Sequence, residues 1–372
     1  MQPLTDKKRI EWIDAMRGFT MILVVFSHME LFGIDYNSKF TGINSLFVSF
    51  FMPLFFFISG FVSFKHSDIW DFKHYRTKLL EKTRIQLLPT LFFGLLYATL
   101  LFSKNEGVTP FEGIMKFFDH SFKLGYWFTI ALLGMFAIYY SVSFILNKCK
   151  LTTRQIILVI ISLILYYLCF RSNTNFSHNQ VARILCLYKI FFYFQFFIFG
   201  NLVSCYREKV FKMLDNKYII TTILLFFAVL FVIYSHQPDI TQNYIRYSST
   251  KIIAEGVAYL GVITVIAVFR HYKYYFSKNT KIGQGLQYIG RRTLDIYLLH
   301  FFLIPSIPSI GKFFSANNNL VLETTVVIGL SLMVILFCLI ISNIIRISPL
   351  LGHYLFGAKL ENKNTKRAAS SD

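Results

Sequence analysis

The sequence predicts an all-α protein that crosses a bilayer about ten times, and three observations predict it: apolar runs of spanning length recur from end to end, charge is scarce, and the basic residues alternate between connections. Of the 372 residues, 55% are hydrophobic and 15% charged, and Phe alone fills 43 positions, more apolar surface than a soluble fold hides. A hydrocarbon core of about 30 Å needs about 20 apolar residues per helix. Runs of that kind stand near 13–33, 44–64, 86–103, 126–146, 155–171, 188–206, 218–235, 251–269, 293–310 and 320–345.

The formal charge of +19 would suit a nucleic-acid partner, but its placement argues against that class. Of the 38 Lys and Arg residues, 27 fall in the N-terminal tail, in 65–84, 148–154, 207–217 and 270–292, and in the segment from Arg346 onward. The other five connections with their flanking helix ends hold 10, and Arg17 is the one left over. Cytoplasmic loops carry the basic excess, so the alternation predicts an N-in/C-in topology, with membrane lipids as the surroundings.

Taken in order, the first run follows basic residues as a signal peptide does, but it is longer and lacks an A-x-A cleavage site, so it is expected to stay in the mature chain. After the second run, the segment from Lys65 to Gln86 mixes Trp70, Phe72 and Tyr75 with six basic residues. It reads as a solvated, lipid-contacting loop or, more sharply, as a pocket for a phosphorylated cofactor. Between the third and fourth runs, Phe111, Ile114, Met115, Phe117 and Phe118 recur at helical spacing and predict a helix along the outer surface. The fourth run opens on Trp127, an interfacial anchor by its position. The fifth ends at Arg171, the sixth carries Gln195, and the eighth has Glu255 with Lys251 four residues before it. One membrane domain is expected over 1–358, with a disordered polar tail at 359–372. Five Cys residues, odd in number and without ligand spacing, read as packing residues, and no metal is expected.

An ionisable group inside a transmembrane segment is costly and is therefore a candidate for function. The first run carries Asp14, Arg17 and His28. Eleven residues of α-helix separate Arg17 from His28, which returns to within about 20° of the same face at an axial distance of about 16 Å. Asp14, three residues before Arg17, is placed to pair with it. Arg17 also has a plain reading as a helix-end charge snorkelling to the interface. His28 lies too deep for that, and as a neutral imidazole it suits either a general base or an interhelical hydrogen bond. In the ninth run Tyr297 and His300 share a face and could form one polar cluster or serve helix packing.

The segment Arg9 to Gly18 with His28 resembles the opening signature of the membrane acyltransferase-3 family, in which Asp precedes Arg-Gly and ten residues separate the Arg from a His. Four further segments are similar in the same order: Phe51 to Phe61 with Pro53, a basic run ending at Leu87-Leu88-Pro89, Tyr126-Trp127-Phe128, and Gly290 with Ile296 to His300. Where the family often has paired arginines directly before the third-span proline, this chain has Gln86, with Arg84 and Lys82 farther back.

The resemblance implies an integral membrane O-acyltransferase of a bacterial inner membrane, moving an acetyl or similar group from cytoplasmic acyl-CoA to a hydroxyl of an envelope carbohydrate. It implies that Arg17 and basic residues such as Arg76, Lys82 or Arg84 meet the CoA phosphates, and that His28 acts on the acceptor hydroxyl or takes the acyl group itself. Asp14 would hold Arg17, while Trp127, Tyr297 and His300 would touch donor or acceptor; Glu255, outside the matching segments, reads either as a further substrate contact or as a structural pair with Lys251. Some members carry a C-terminal envelope domain, which is not expected here, so the acceptor falls to the membrane domain or to a separate protein. The rival class is a transporter or lipid-linked glycan flippase, which would often show internal repeats and helix breaks at mid-membrane.

Overall fold

In hydrocarbon every backbone N–H and C=O must be satisfied within its own segment, so apolar runs of this kind fold as helices. The structure is a computed structural model and describes residues 9–34, 43–65, 70–171, 179–235, 244–317 and 319–358. The tail at 359–372, expected to be disordered, lies outside the described residues. Among the described residues, nine helices are long and apolar enough to cross a membrane: Glu11–Gly33, Ile43–Ser63, Phe72–Glu106, Trp127–Ile145, Leu151–Arg171, Leu187–Cys205, Lys217–Ser235, Lys251–His271 and Leu320–Ile345. A tenth crossing requires Thr293–Leu303 and Pro308–Asn317 to be taken together, because the ninth run is broken at 304–307. Pro305 and Pro308 have no N–H for a continuing helix.

The third helix corrects the expectation of a loop over 65–86. It begins at Phe72, where Asp71 caps it by accepting from the His74 N–H (2.6 Å), and runs unbroken to Glu106. Its 35 residues span about 52 Å, well beyond the hydrocarbon thickness, so polar turns project from the membrane. Pro89 explains the π turn Thr83–Leu87 inside it: proline gives no hydrogen bond to Ile85 and crowds its carbonyl, and the Leu88 N–H reaches Thr83 instead.

The chain forms two compact units. One comprises Met1–Ser67, Tyr193–Thr293 and Ile304–Ile335, the other Asp68–Phe192, Leu294–Leu303 and Leu336–Asp372. In the first, the opening span crosses helix Lys281–Arg291 at a pair of glycines. A Cβ on Gly18 would lie 2.0 Å from the Leu286 carbonyl oxygen, and one on Gly290 would lie 1.9 Å from that of Asp14. Gly60 and Gly200 repeat the device, with Phe197 and Phe57 carbonyl oxygens at 1.8 and 1.9 Å. Lipid supplies no hydrophobic drive between helices, so small residues that let backbones approach carry the packing. In the same unit Phe26, Phe47, Phe50 and Phe227 join through a chain of edge-to-face contacts.

In the second unit, Tyr75 stacks on Phe144 and Trp70 packs on Tyr140, fixing the projecting start of the third helix against Trp127–Ile145. The amphipathic connection folds as helix Pro110–Asp119, closed at its start by a reciprocal cap between Thr109 and Glu112. The hydrogen bonds from Thr109 hold the Glu112 carboxyl below its ordinary range. Phe117 buries against Gly94, whereas Phe111 and Met115 stay exposed.

Candidate active site

Arg17 and His28 stand on one uninterrupted α-helix, Glu11–His28, and the π turn Met29–Gly33 begins only after His28. The phase between them is therefore that of a regular helix. Both are half-buried, while Met16, Gly18, Ser27 and Met29 beside them are buried. The His28 ring lies 5.7 Å from that of Phe32. Asp14 departs from the expected pairing. Its ion-pair partner is Arg9, Nε to Oδ2 at 3.6 Å, and among the described residues no carboxylate comes within that range of Arg17. Arg9 precedes the helix, next to the extended cap residue Ile10, and can turn back on its first turn, whereas the rigid three-residue spacing leaves Asp14 a neighbouring charge of Arg17 rather than a hydrogen-bonded one. Glu255, in the same unit, accepts from Gln195 Nε2 (3.3 Å), and Gln195 in turn accepts from the Tyr259 hydroxyl (2.9 Å). Two neutral groups thus join the local Lys251 partner read from sequence.

The other candidates belong to the second unit. Arg76 is exposed, Lys82 places its ammonium 4.2 Å from the centre of the Phe136 ring, and Arg84 meets His353. His353 Nδ1 donates to the Ala358 carbonyl (2.6 Å), leaving Nε2 to accept from Arg84 Nη1. Tyr297 and His300 do not join through their polar atoms as one cluster, their ring centres being 6.2 Å apart. The Tyr297 hydroxyl donates to the Gly125 carbonyl and accepts from the Phe128 N–H, both at 3.2 Å, so it pins the start of the fourth span. His300 turns Nδ1 onto the Ile296 and Tyr297 carbonyls of its own helix (3.0 and 2.8 Å). Trp127 is buried and forms one wall around the Lys189 ammonium.

The family model described as an acyltransferase domain matches residues 10–343, nearly the whole chain and both units. The chain belongs to the acyltransferase-3 family. No curated protein and no solved structure matches it. This multi-pass membrane acyltransferase therefore carries Arg17 and His28 on the span that opens the family match.

Two buried polar groups of the acyltransferase escaped the sequence reading. Glu30 lies two residues past His28, on the opposite side of the helix, with the side chains of Glu323 and Asn44 as neighbours. All three are buried. The second is Asp295, which takes a two-pronged ion pair from Arg346 (2.9 and 2.8 Å) and a hydrogen bond from Ser342. The rule that picked out Arg17 would have found Glu30, Glu323 and Asp295, but each sits near a span end, where a charge looks ordinary. Among the described residues, no group of three or more His, Cys, Asp or Glu could hold a metal ion.

Proposed function

We propose that the acyltransferase moves an acetyl or similar short acyl group from cytoplasmic acyl-CoA to a hydroxyl of an envelope carbohydrate, in a bacterial inner membrane with both termini cytoplasmic. The observation that carries this reading is the pair Arg17 and His28, half-buried on one face of a regular helix in a chain of the acyltransferase-3 family. Arg17 is a fixed cation without a carboxylate at ion-pair distance among the described residues, which suits it to a donor phosphate. The pantetheine arm, on the order of 15 to 20 Å long, matches the axial distance of about 16 Å between the two residues.

His28 then takes the proton of the acceptor hydroxyl as its oxygen attacks the thioester carbonyl. The C–O bond forms, the C–S bond breaks, and the CoA sulfur leaves with the proton that the imidazolium returns. An acyl-imidazole formed on His28 itself is the two-step variant of the same exchange. Asp14 is proposed to act on Arg17 as a nearby charge.

The broken ninth run is a feature that a transporter would share. Purified protein given labelled acetyl-CoA separates the readings. An acyltransferase binds it and forms labelled product, His28→Ala abolishes product with donor affinity kept, and Arg17→Ala weakens donor affinity. Absence of donor binding in the wild-type protein would overturn the proposal.

A further inference from the structure

Among the described residues, the non-glycine positions with left-handed backbone are Lys123, Leu124 and Cys186, at φ of 48, 51 and 54°. All three belong to one place in the second unit, where the connection after helix Pro110–Asp119 meets the segment before helix Leu187–Cys205. Left-handed backbone at a residue other than glycine is strained, and strain of this kind gathers at ligand clamps. Gly125, at φ of 102°, continues the same turn into Tyr126-Trp127. Two ammonium groups lie beside this strained turn, one buried and one half-buried.

Lys123 is fully buried, with Nζ donating to the Phe118 carbonyl. Lys189 is half-buried, and its Nζ lies 4.0 Å from the ring centre of Phe122, 4.9 Å from that of Trp127 and 5.8 Å from that of Tyr188. Aromatic faces and one carbonyl ease the burial of a cation but do not neutralise it. Neither ammonium has a carboxylate within ion-pair distance among the described residues, because the adjacent carboxylate, Asp119, is taken by Arg183 at 2.7 Å. The other ionisable group close to both is Cys186. Burial pushes its thiol up to about 11 against the opposing pull of the two lysines, so it is neutral at physiological pH. Burial likewise lowers Lys123 below the ordinary lysine value, as expected of a cation short of counter-charge.

A shallow, open groove is lined by Asp119, His120, Ser121, Phe122 and Arg183, and it reaches Lys189 through the Phe122 ring. It offers hydroxyl, imidazole, carboxylate and guanidinium groups next to an exposed aromatic face, the mixture that receives sugar hydroxyls and sugar ring faces.

We infer that Lys189, with the buried charge of Lys123 nearby, binds the anionic group of an acidic carbohydrate, so that the acceptor is a glycan bearing carboxylate or phosphate. This rests on the proposed function for the word acceptor, but the binding itself does not. The test uses purified full-length protein and titrates a hexuronate oligosaccharide, a phosphorylated sugar, and a neutral glucose oligomer of the same length. At least one acidic probe should bind ten-fold or more tightly than the neutral one and weaken steeply with salt. Lys189→Gln should erase most of that preference and Lys123→Gln, acting only through the loss of a nearby charge, should reduce it, while Lys116→Gln on the preceding helix leaves it intact. Lys189 is half-buried, so its variant is read even if Lys123→Gln fails to fold.

Equal binding of acidic and neutral probes, or a preference untouched by Lys189→Gln, would overturn the inference. Displacement of the acidic probe by acetyl-CoA would also do so, by assigning the lysines to the donor. A fourth contrary result would be loss of the preference in nanodiscs containing phosphatidylglycerol but not in phosphatidylcholine, which would assign the site to a lipid headgroup. Failure of acetyl-CoA to bind anywhere would sink the proposed function and leave this measurement readable.

Discussion

Helix Lys281–Arg291 carries two glycines whose substitution by alanine should move stability in opposite directions. Gly290 lies at the crossing with the first span, where a new Cβ would stand 1.9 Å from the Asp14 carbonyl oxygen and 3.0 Å from the Gly18 nitrogen. Gly285, five residues earlier, has nothing within 4 Å of the same atom. At Gly285 alanine brings only its better helix propensity, about 0.8–1.0 kcal/mol. At Gly290 the same gain meets backbone oxygen that no rotamer change can move, so the helices must separate. Overpacking of this kind costs about 1–3 kcal/mol or more, and the net change is a loss. Because Asp14 and Gly18 flank Arg17, separation also displaces that guanidinium.

The assay is the apparent melting temperature of detergent-solubilised protein at one scan rate, read beside acetyl-CoA affinity. Gly285→Ala should melt at or above the wild-type temperature with unchanged affinity, and Gly290→Ala should melt lower and bind donor more weakly. Equal melting of the two variants would refute the close crossing. A Gly290→Ala protein that melts lower with unchanged donor affinity would keep the crossing and remove its role in placing Arg17.

Tyr297→Phe removes a hydroxyl that serves the Gly125 carbonyl and the Phe128 N–H, and leaving buried groups unmet costs about 1–3 kcal/mol. A clear fall in apparent melting temperature is expected, and no change would mean that Tyr297 does not pin the fourth span. On the membrane surface, hydrogen bonds from Arg270 hold the Asp215 carboxyl below its ordinary range. A depressed carboxylate contributes stability in full above its unfolded pKa and loses it as pH falls through the folded value. A double-mutant cycle with Asp215→Asn and Arg270→Gln should therefore give a coupling of about 0.2–1 kcal/mol at neutral pH that vanishes in acid. A coupling that grows on acidification would contradict the assignment.

The spans were legible because hydrocarbon imposes one solution on a run of about 20 apolar residues. The start of the third helix was not, since Phe72 to Lys82 is too polar for a hydropathy reading, and its helix rests on the Asp71 cap and on packing of Tyr75 and Trp70. The break in the ninth run was foreshadowed by Pro305 and Pro308, but run length alone concealed it. At the candidate site, periodicity put Arg17 and His28 on one face because a regular helix fixes that relation. Partners were harder to read. Asp14 found Arg9 across a cap, and His300 turned onto its own backbone, because side-chain reach and tertiary neighbours decide such pairings. The lysine pair could not be seen at all, since Lys123 and Lys189 stand far apart in sequence and meet around Cys186 only in the fold.

The acyl-transfer account is tested most directly by mass analysis of envelope polysaccharide from three strains: one with the intact gene, one lacking it, and one carrying only His28→Ala at normal membrane abundance. The account predicts acyl mass increments on the polysaccharide in the first strain and none in the other two. Undiminished increments in the His28→Ala strain would contradict the role of His28, and increments in all three would contradict the transfer itself.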